Sequence, residues 1–408
     1  MTLTIERLGL HGDGVAAGPV FVPRVLPGEV VTGEQVGDRI AAPKIVTPSE
    51  NRIKAPCVHY ARCGGCALQH AKDDFVADWK QGVVVAALQA HGLETEFRPI
   101  VTSPPKSRRR ATFSGRRLKK GALVGFHTRA SDTLVEVPNC EILCAELRAA
   151  LPALDALTRL VGSRKAEVAF AVTHGLDGLD IDMASQKEMD AVLVGELAAL
   201  ARQYDLARLA QNGEPVLTRR APRIGFDGIA VVPPPGAFLQ ATEHGEETLR
   251  AAVSEVVEDA SHLLDLFAGC GTFALPLARS ASVHAVEGET AMTDALHAGW
   301  RMATGLKHVS VETRDLFRRP LMPDEMKKAD AVVIDPPRAG AEAQVAQLAD
   351  AQIDRIAFVS CNPVTFARDA KTLVLAGYRL NWVQVVDQFR WSPHIELAAS
   401  FTAPHIAA

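Results

Sequence analysis

Leu263-Leu264-Asp265-Leu266-Phe267-Ala268-Gly269-Cys270-Gly271-Thr272-Phe273-Ala274 is the stretch that decides the fold. Its apolar run reads as a buried strand, the glycine-bearing part as a turn, and the residues after that turn as a helix. In an open α/β sheet the first such turn is where nucleotide-like cofactors lie, because glycines let the backbone approach the ligand closely. Only two glycines are present, so the dinucleotide-binding pattern of three is not met. Outward from this stretch, apolar segments at 282–286, 309–311, 331–334, 356–359 and 382–386 alternate with helical ones. That alternation predicts a doubly wound parallel sheet. Four acids fall at successive strand ends: Asp265, Glu287, Asp315 and Asp335. One alone is an ordinary helix cap. Four in register suit ribose hydroxyls and a neutral-to-cationic adenosyl ligand better than a pyrophosphate, which calls for donors and positive charge.

The 408 residues are 48% hydrophobic, enough for two or three domains with real cores. No apolar run of about 18 residues is free of charge, so no membrane span is expected. The first residues lack the basic-then-apolar pattern of a secretory signal. A cytoplasmic setting is therefore expected, in which clustered cysteines point to metal or catalysis rather than disulfides. Lys plus Arg number 44 against 48 Asp plus Glu, a net charge of −4 that argues weakly against a nucleic-acid partner. The average hides a patch, though. Lys106, Arg108, Arg109, Arg110, Arg116, Arg117, Lys119, Lys120 and Arg129 occur with no acid among residues 106–129.

Three units are expected along the chain. Residues 1–52 carry short apolar segments between closely spaced turns, the pattern of a small OB-like β-barrel. Residues 53–235 read as a mixed α+β unit, with a helix from Asp73 to Ala90 and then the basic segment. Pro233-Pro234-Pro235-Gly236 marks a boundary, after which 236–408 form the α/β unit.

Ser360-Cys361-Asn362-Pro363 comes after one of the apolar strands, downstream of Asp335-Pro336-Pro337-Arg338-Ala339-Gly340 and upstream of His394-Ile395-Glu396. Free cysteine after a strand is usually a small buried hydrophobe, but the Asn-Pro turn exposes this one. Transfer of a methyl group to nitrogen or oxygen needs no thiol. An unactivated carbon such as pyrimidine C5 does, because thiolate addition at C6 makes C5 nucleophilic. Cys361 is therefore the candidate nucleophile and Glu396 the candidate general base that removes the C5 proton.

These motifs, in this order, resemble the RNA (uracil-C5)-methyltransferases: the acid-Pro-Pro segment at 335–340, Ser360-Cys361-Asn362-Pro363-Val364-Thr365, and a base signature echoed by Asp387, Phe389, Ser392, His394 and Glu396. The resemblance implies a class I (Rossmann-like) S-adenosylmethionine-dependent domain, with Cys361 and Glu396 catalytic. It also implies that Gln240, Phe267, Thr272, Glu287, Asp315 and Asp335 contact the cofactor. Phe358, Arg390, Thr242 and Thr272 depart from the family's usual tyrosine, proline and asparagines.

Cys57, Cys63 and Cys66, with Cys140 further on, form a thiol set that suits either zinc or an iron–sulfur cluster by spacing alone. Here too the resemblance implies an answer. Cys57-x5-Cys63-Gly64-Gly65-Cys66 with Asn139-Cys140-Glu141 is similar to the 4Fe–4S motif of the 23S ribosomal-RNA branch, and leaves Cys144 and Cys270 as bystanders. The N-terminal segment is similar to a TRAM domain, shortened between Val31 and Pro43. RNA is then the partner, 23S ribosomal RNA before the transfer-RNA T-loop, with Arg108-Arg109-Arg110 and Phe113 available to phosphates around an unstacked base. No obligate protein partner is implied. The contrasting possibilities are a non-catalytic RNA binder on the same fold and a redox sensor built on the cluster.

Overall fold

The computed structural model describes residues 1–406. Five short strands come first: β1 (Thr2–Leu8), β2 (Gly14–Ala16), β3 (Val20–Val22), β4 (Val30–Thr32) and β5 (Lys44–Thr47). They pair antiparallel in the order β3-β2-β1-β4-β5 around Ile5, Val22, Val31 and Ile40. The segment before β5 folds back on β3, Phe21 N donating to Asp38 O at 2.7 Å and Ile40 N to Phe21 O at 3.1 Å, which rolls the sheet towards closure.

Helix α1 (Asp73–Gln89) and strand β6 (Glu96–Thr102) come after this sheet. Next are β7 (Arg110–Arg117), β8 (Ala122–His127), β9 (Leu134–Val135), α2 (Ala145–Ala149), α3 (Leu151–Val161), β10 (Val168–Gly175), β11 (Gly178–Ala184), α4 (Ala191–Gln203), β12 (Arg208–Gln211) and β13 (Glu214–Thr218). Strands β7 to β13 make a seven-stranded sheet in the order β13-β12-β11-β10-β7-β8-β9. Burial alternates along β7, with Ala111, Phe113 and Gly115 inside, so one face of this sheet is apolar. Leu154 and Leu157 of α3 and Leu197 of α4 share its core with Phe113 and Phe170.

The hairpin β14 (Ile224–Phe226) and β15 (Ile229–Val231) leads into α5 (Glu243–Val256), β16 (His262–Leu266), α6 (Ala274–Leu277), β17 (Ser282–Glu287), α7 (Thr290–Met302), β18 (Val309–Thr313), α8 (Pro323–Met326), β19 (Ala331–Ile334), α9 (Glu342–Ala351), β20 (Arg355–Ser360), α10 (Pro363–Leu375), β21 (Arg379–Asp387) and β22 (Leu397–Thr402). The second large sheet has the order β18-β17-β16-β19-β20-β22-β21-β6. Strands β16 to β20 run parallel, and β22 is antiparallel to both neighbours. The expected α/β sheet is therefore present. Its order reverses between β16 and β19, and the crevice beyond their C-terminal ends is where such a sheet holds a ligand.

The single central unit expected over 53–235 needs correction at both ends. Strand β6 pairs in parallel with β21, Glu96 opposite Trp382. Val84 and Leu88 of α1 sit in one core with Phe366 and Leu373 of α10. Near the other boundary, Phe226 and Val231 of the hairpin pack with Leu249 and Phe273. Residues before and after the central sheet thus complete the α/β unit. Lys80 of α1 is fully buried and donates to Asp387 Oδ1 at 2.5 Å and to Phe389 O at 3.1 Å. Removing one partner of such a pair typically costs about 3–5 kcal/mol, so α1 is fastened to the end of β21, where the base signature begins. Among the described residues no helix is long and apolar enough to cross a membrane.

Candidate functional site

A cavity of about 640 Å³ opens at the switch point. Gln240, Phe267, Thr272, Glu287, Asp315, Asp335, Cys361 and Glu396, the residues singled out from sequence, all line it. The turn after β16 shapes one wall. Phe267 holds φ +62°, a strained value for a residue with a side chain, and its ring lies 5.5 Å from that of Phe317. Gly269 sits two residues on at φ +56°, where glycine carries no such penalty. Glu287 ties this turn to the end of β17: its carboxylate accepts from the backbone N of Gly269 at 2.9 Å, Gly288 at 2.7 Å and Glu289 at 3.0 Å. Asp315 Oδ1 accepts from Phe317 N at 3.0 Å. Asp265 does not join these acids. It lies fully buried in β16, away from the cavity wall, and burial, with Asp335 and Glu287 nearby, holds its carboxyl well above the usual range. The expected register of four is a register of three over a buried fourth.

Cys361 leaves β20 at the turn into α10. Asn362 makes that turn by capping the helix, its Oδ1 accepting from Val364 N at 3.1 Å, while its Nδ2 donates to Arg338 O at 2.8 Å. One side chain thus joins the segment at 335–340 to the loop that carries Cys361. Gly340, at φ +78°, lies so close to this loop that an added Cβ would stand 2.5 Å from Arg368 and 2.7 Å from Asp369. Burial pushes the Cys361 thiol up to about 12. The carboxylates of Glu396 and Asp335 push the same way, and Arg338 opposes them.

Glu396 is buried. Desolvation foremost, and the Asp335 carboxylate next, raise its carboxyl well above the ordinary value, while a hydrogen bond from Gln388 lowers it. Asp335 opens on the cavity but is otherwise walled by protein, which pushes it up to about 7. Gln388 was not visible as a functional residue in the sequence. Buried between the two walls, it donates to Glu396 Oε2 at 3.1 Å and to Gln240 Oε1 at 2.5 Å, and accepts from Ala241 N at 2.7 Å. Gln240 in turn reaches Asp335 Oδ2 at 3.5 Å. We expect Gln388→Leu to lower kcat by about 10- to 100-fold, since a buried hydrogen bond to a charged group is worth roughly 1.5–3 kcal/mol. Losing that donor moves the Glu396 carboxyl higher still, so the acidic limb of the pH–rate profile should shift to higher pH. A lowered kcat with an unmoved profile would leave Gln388 a packing residue only.

Two of the departures from the family pattern have local explanations. Thr242 caps α5, accepting from Gly245 N at 2.9 Å, and bonds Ser103 at 2.8 Å. Arg390 pairs with Asp73, whose other oxygen accepts from Trp391 Nε1 at 2.8 Å. Trp391 has φ +58° and its carbonyl accepts from Ala67 N at 2.9 Å and Leu68 N at 3.0 Å. The loop that ends at Glu396 is therefore braced by residues adjoining Cys66.

Cys57, Cys63, Cys66 and Cys140 do converge, lining a second cavity of about 630 Å³ that also meets Ser392 and His394 of the loop before Glu396. Burial raises the thiols of Cys63 and Cys140 and takes that of Cys66 to about 12. Cys144, Glu146 and His174 each place a ligand atom within 4.8 Å of the other two. Cys144, expected to be a bystander, thus has an imidazole and a carboxylate beside it, and Cys270 is buried.

The basic segment divides. Arg109 pairs with the buried Glu246 at 2.5 Å, Arg108 lies 5.4 Å over the Phe389 ring, and Arg110 lies 5.3 Å over that of Phe238, which lines the first cavity. Arg116 pairs with Glu167, and Arg117, Lys119 and Lys120 are exposed at the far end of β7.

Residues 234–402 match the family model described as tRNA (Uracil-5-)-methyltransferase. The chain is 41% identical over 403 residues to an uncharacterized RNA methyltransferase of Brucella suis, covering 98% of this chain and 97% of that one. It is 31% identical, over 98% of its length and 97% of the relative's, to the 23S rRNA (uracil(1939)-C(5))-methyltransferase RlmD of Hahella chejuensis. The crystal structure of a Pyrococcus abyssi tRNA (uracil-54, C5)-methyltransferase in complex with S-adenosyl-L-homocysteine superposes with a TM-score of 0.80 at 23% identity, covering 98% of this chain and 99% of that one. With a thiol and a buried carboxylate on one cavity at the switch point, and full-length relatives of this kind, the chain belongs to the RNA (uracil-C5)-methyltransferase family.

Proposed function

We propose that this chain methylates C5 of a uridine in 23S ribosomal RNA, with S-adenosylmethionine as donor and Cys361 and Glu396 as the catalytic pair. The observation that carries the reading is the shared cavity of that pair with Gln240 and three strand-end acids. The donor set suits an adenosyl sulfonium. Glu287 and Asp315 offer carboxylate oxygens, Phe267 and Phe317 offer apolar faces, and Asp335, with Arg338 its neighbour on the rim, gives the cavity a net acidic lining. When bound, S-adenosylmethionine supplies an electrophilic methyl group to C5. Cys361, its thiol proton lost to solvent, bonds C6 as thiolate, and the C5–C6 π electrons move towards O4, leaving C5 nucleophilic. After transfer Glu396 takes the C5 proton, and the C–H electrons re-form the double bond as the C6–S bond breaks and returns the thiolate.

Ribosomal rather than transfer RNA is favoured by the 31% identical relative, whose match runs the full length. The transfer-RNA T-loop stays the second reading, because the archaeal enzyme shares the architecture over the whole chain. Incubation with labelled S-adenosylmethionine and either 23S fragments or transfer-RNA transcripts separates them. Label in transfer RNA alone would overturn the first reading.

The N-terminal sheet is assigned as a TRAM-type grip on RNA. The four cysteines are assigned to a 4Fe–4S cluster, supported by the convergence of Cys57, Cys63, Cys66 and Cys140 on one cavity. Its part is support, since no electron moves in the chemistry and the Cys66 loop braces the base loop. Protein purified without oxygen should carry iron and acid-labile sulfide in equal amounts, and oxidative loss of the cluster should lower kcat and expose the segment around Trp391 to protease. Stoichiometric zinc without iron would contradict the assignment.

A further inference from the structure

A groove of about 1220 Å³ lies at the end of the central sheet remote from the catalytic cavity, walled by Arg117, Lys119, Arg164 and Lys187 and by a single acid, Glu167. That acid is already engaged by Arg116 and by His127. The four cations come from three separate segments, the β7–β8 turn, the α3–β10 loop and the chain after β11, so no sequence run announces them together. They are exposed, and none enters an ion pair among the described residues.

The walls are held by specific bonds. Gln211 Nε2 donates to Lys187 O at 2.8 Å, and Asn212 accepts from Ser185 N at 3.1 Å and donates to Ser185 O at 2.8 Å. Ser163 Oγ accepts from the backbone N of Lys165 at 3.2 Å and of Ala166 at 2.9 Å. A concave site with four exposed cations that no acid pairs matches a chain of phosphates and offers little to an apolar ligand.

Strand β7 links this groove to the catalytic cavity. Arg110 at its start stacks on Phe238 of the cavity wall, and the seven residue steps to Arg117 span about 24 Å. We infer that the groove is a second docking site for the phosphate backbone of the substrate RNA, engaging a segment that lies about one β7 length beyond the wall of the cavity the uridine enters. This rests on the reading of RNA as substrate. The protein then selects a structured RNA by two-point contact, and a short hairpin holding only the target uridine reaches one of the two points.

The test is the triple variant Lys119→Gln, Arg164→Gln, Lys187→Gln, none of which touches the catalytic cavity. Methylation and fluorescence-anisotropy binding are measured against a long structured 23S fragment and a short hairpin, at several salt concentrations. For the long RNA we expect KM and Kd to rise about tenfold or more with kcat unchanged, and the slope of log Kd against log salt to flatten by roughly 2–3, since each lost phosphate contact removes about 0.9. The hairpin should be unaffected. Unchanged binding of the long RNA would overturn the groove, as would an equal loss on both RNAs. If the wild-type chain methylates neither RNA the catalytic reading fails, while anisotropy still decides whether the groove binds.

Discussion

Replacement of Cys361 by alanine abolishes methyl transfer, with an expected fall of roughly 10⁴-fold or more, and leaves RNA affinity within a fewfold of wild type. The size comes from the chemistry. Uracil C5 does not attack a sulfonium methyl group until C6 has been saturated by a nucleophile, so the thiol is required for the reaction and not merely helpful to it. Affinity survives because Cys361 is one small side chain on a cavity bounded by many others, and the unpaired cations lie elsewhere. The thiol's own titration is a second handle. A pKa of about 12, set mainly by burial and then by the Glu396 and Asp335 carboxylates, means the thiol is neutral in the free protein at pH 7. Its alkylation by iodoacetamide should therefore be slow at pH 7 and accelerate up to tenfold per pH unit through the alkaline range. Appreciable methylation by Cys361→Ala would contradict the assignment, and alkylation already at its plateau near pH 7 would contradict the raised pKa of the thiol.

Glu396→Gln produces a different defect. The covalent bond to C6 still forms and the methyl group still arrives, but nothing takes the C5 proton, so elimination stalls. Turnover should fall by about 10²–10⁴-fold, and an RNA–protein adduct stable to denaturing gels should accumulate. The buried position explains why a carboxylate serves here. Desolvation raises its proton affinity well above that of an exposed glutamate, making the ionised form a stronger base. The same shift sets a sign: the base is lost as pH falls through its raised pKa, so the wild-type rate should decline on the acidic side at a higher pH than ordinary carboxylates would give. A fully active glutamine variant, or a slow one that forms no adduct, would assign the proton to another group.

Much of this site is legible in sequence because an α/β sheet delivers its chemistry at strand ends. Phe267, Glu287, Asp315, Asp335 and Cys361 each come at the close of an apolar strand, and a parallel sheet brings such positions to one edge. The features that resisted reading depend on partners far away in the chain. Strand β6 belongs to the catalytic sheet because its mate, β21, lies almost 300 residues later, and nothing local in 96–102 announces that. Asp265 differs from the other acids only in register, being inside the strand rather than at its last residue or past its end. Gln388 carries no chemical signature as a lone amide and gains its role from three partners, two of which, Gln240 and Ala241, lie 148 and 147 residues earlier in the chain. The basic run reads as one patch in sequence. An eight-residue strand is long enough to place its two ends at two sites.

The covalent step can be caught directly. Transcripts of 23S fragments and transfer RNA carrying 5-fluorouridine are incubated with the protein and S-adenosylmethionine, and adducts are read on denaturing gels with wild type and Cys361→Ala. Fluorine at C5 cannot leave as a proton, so the intermediate is held after methyl transfer. With Cys361 as nucleophile, a methylated adduct forms on the ribosomal fragment and is absent in the alanine variant. No adduct on either RNA, or one that persists without Cys361, would contradict that role.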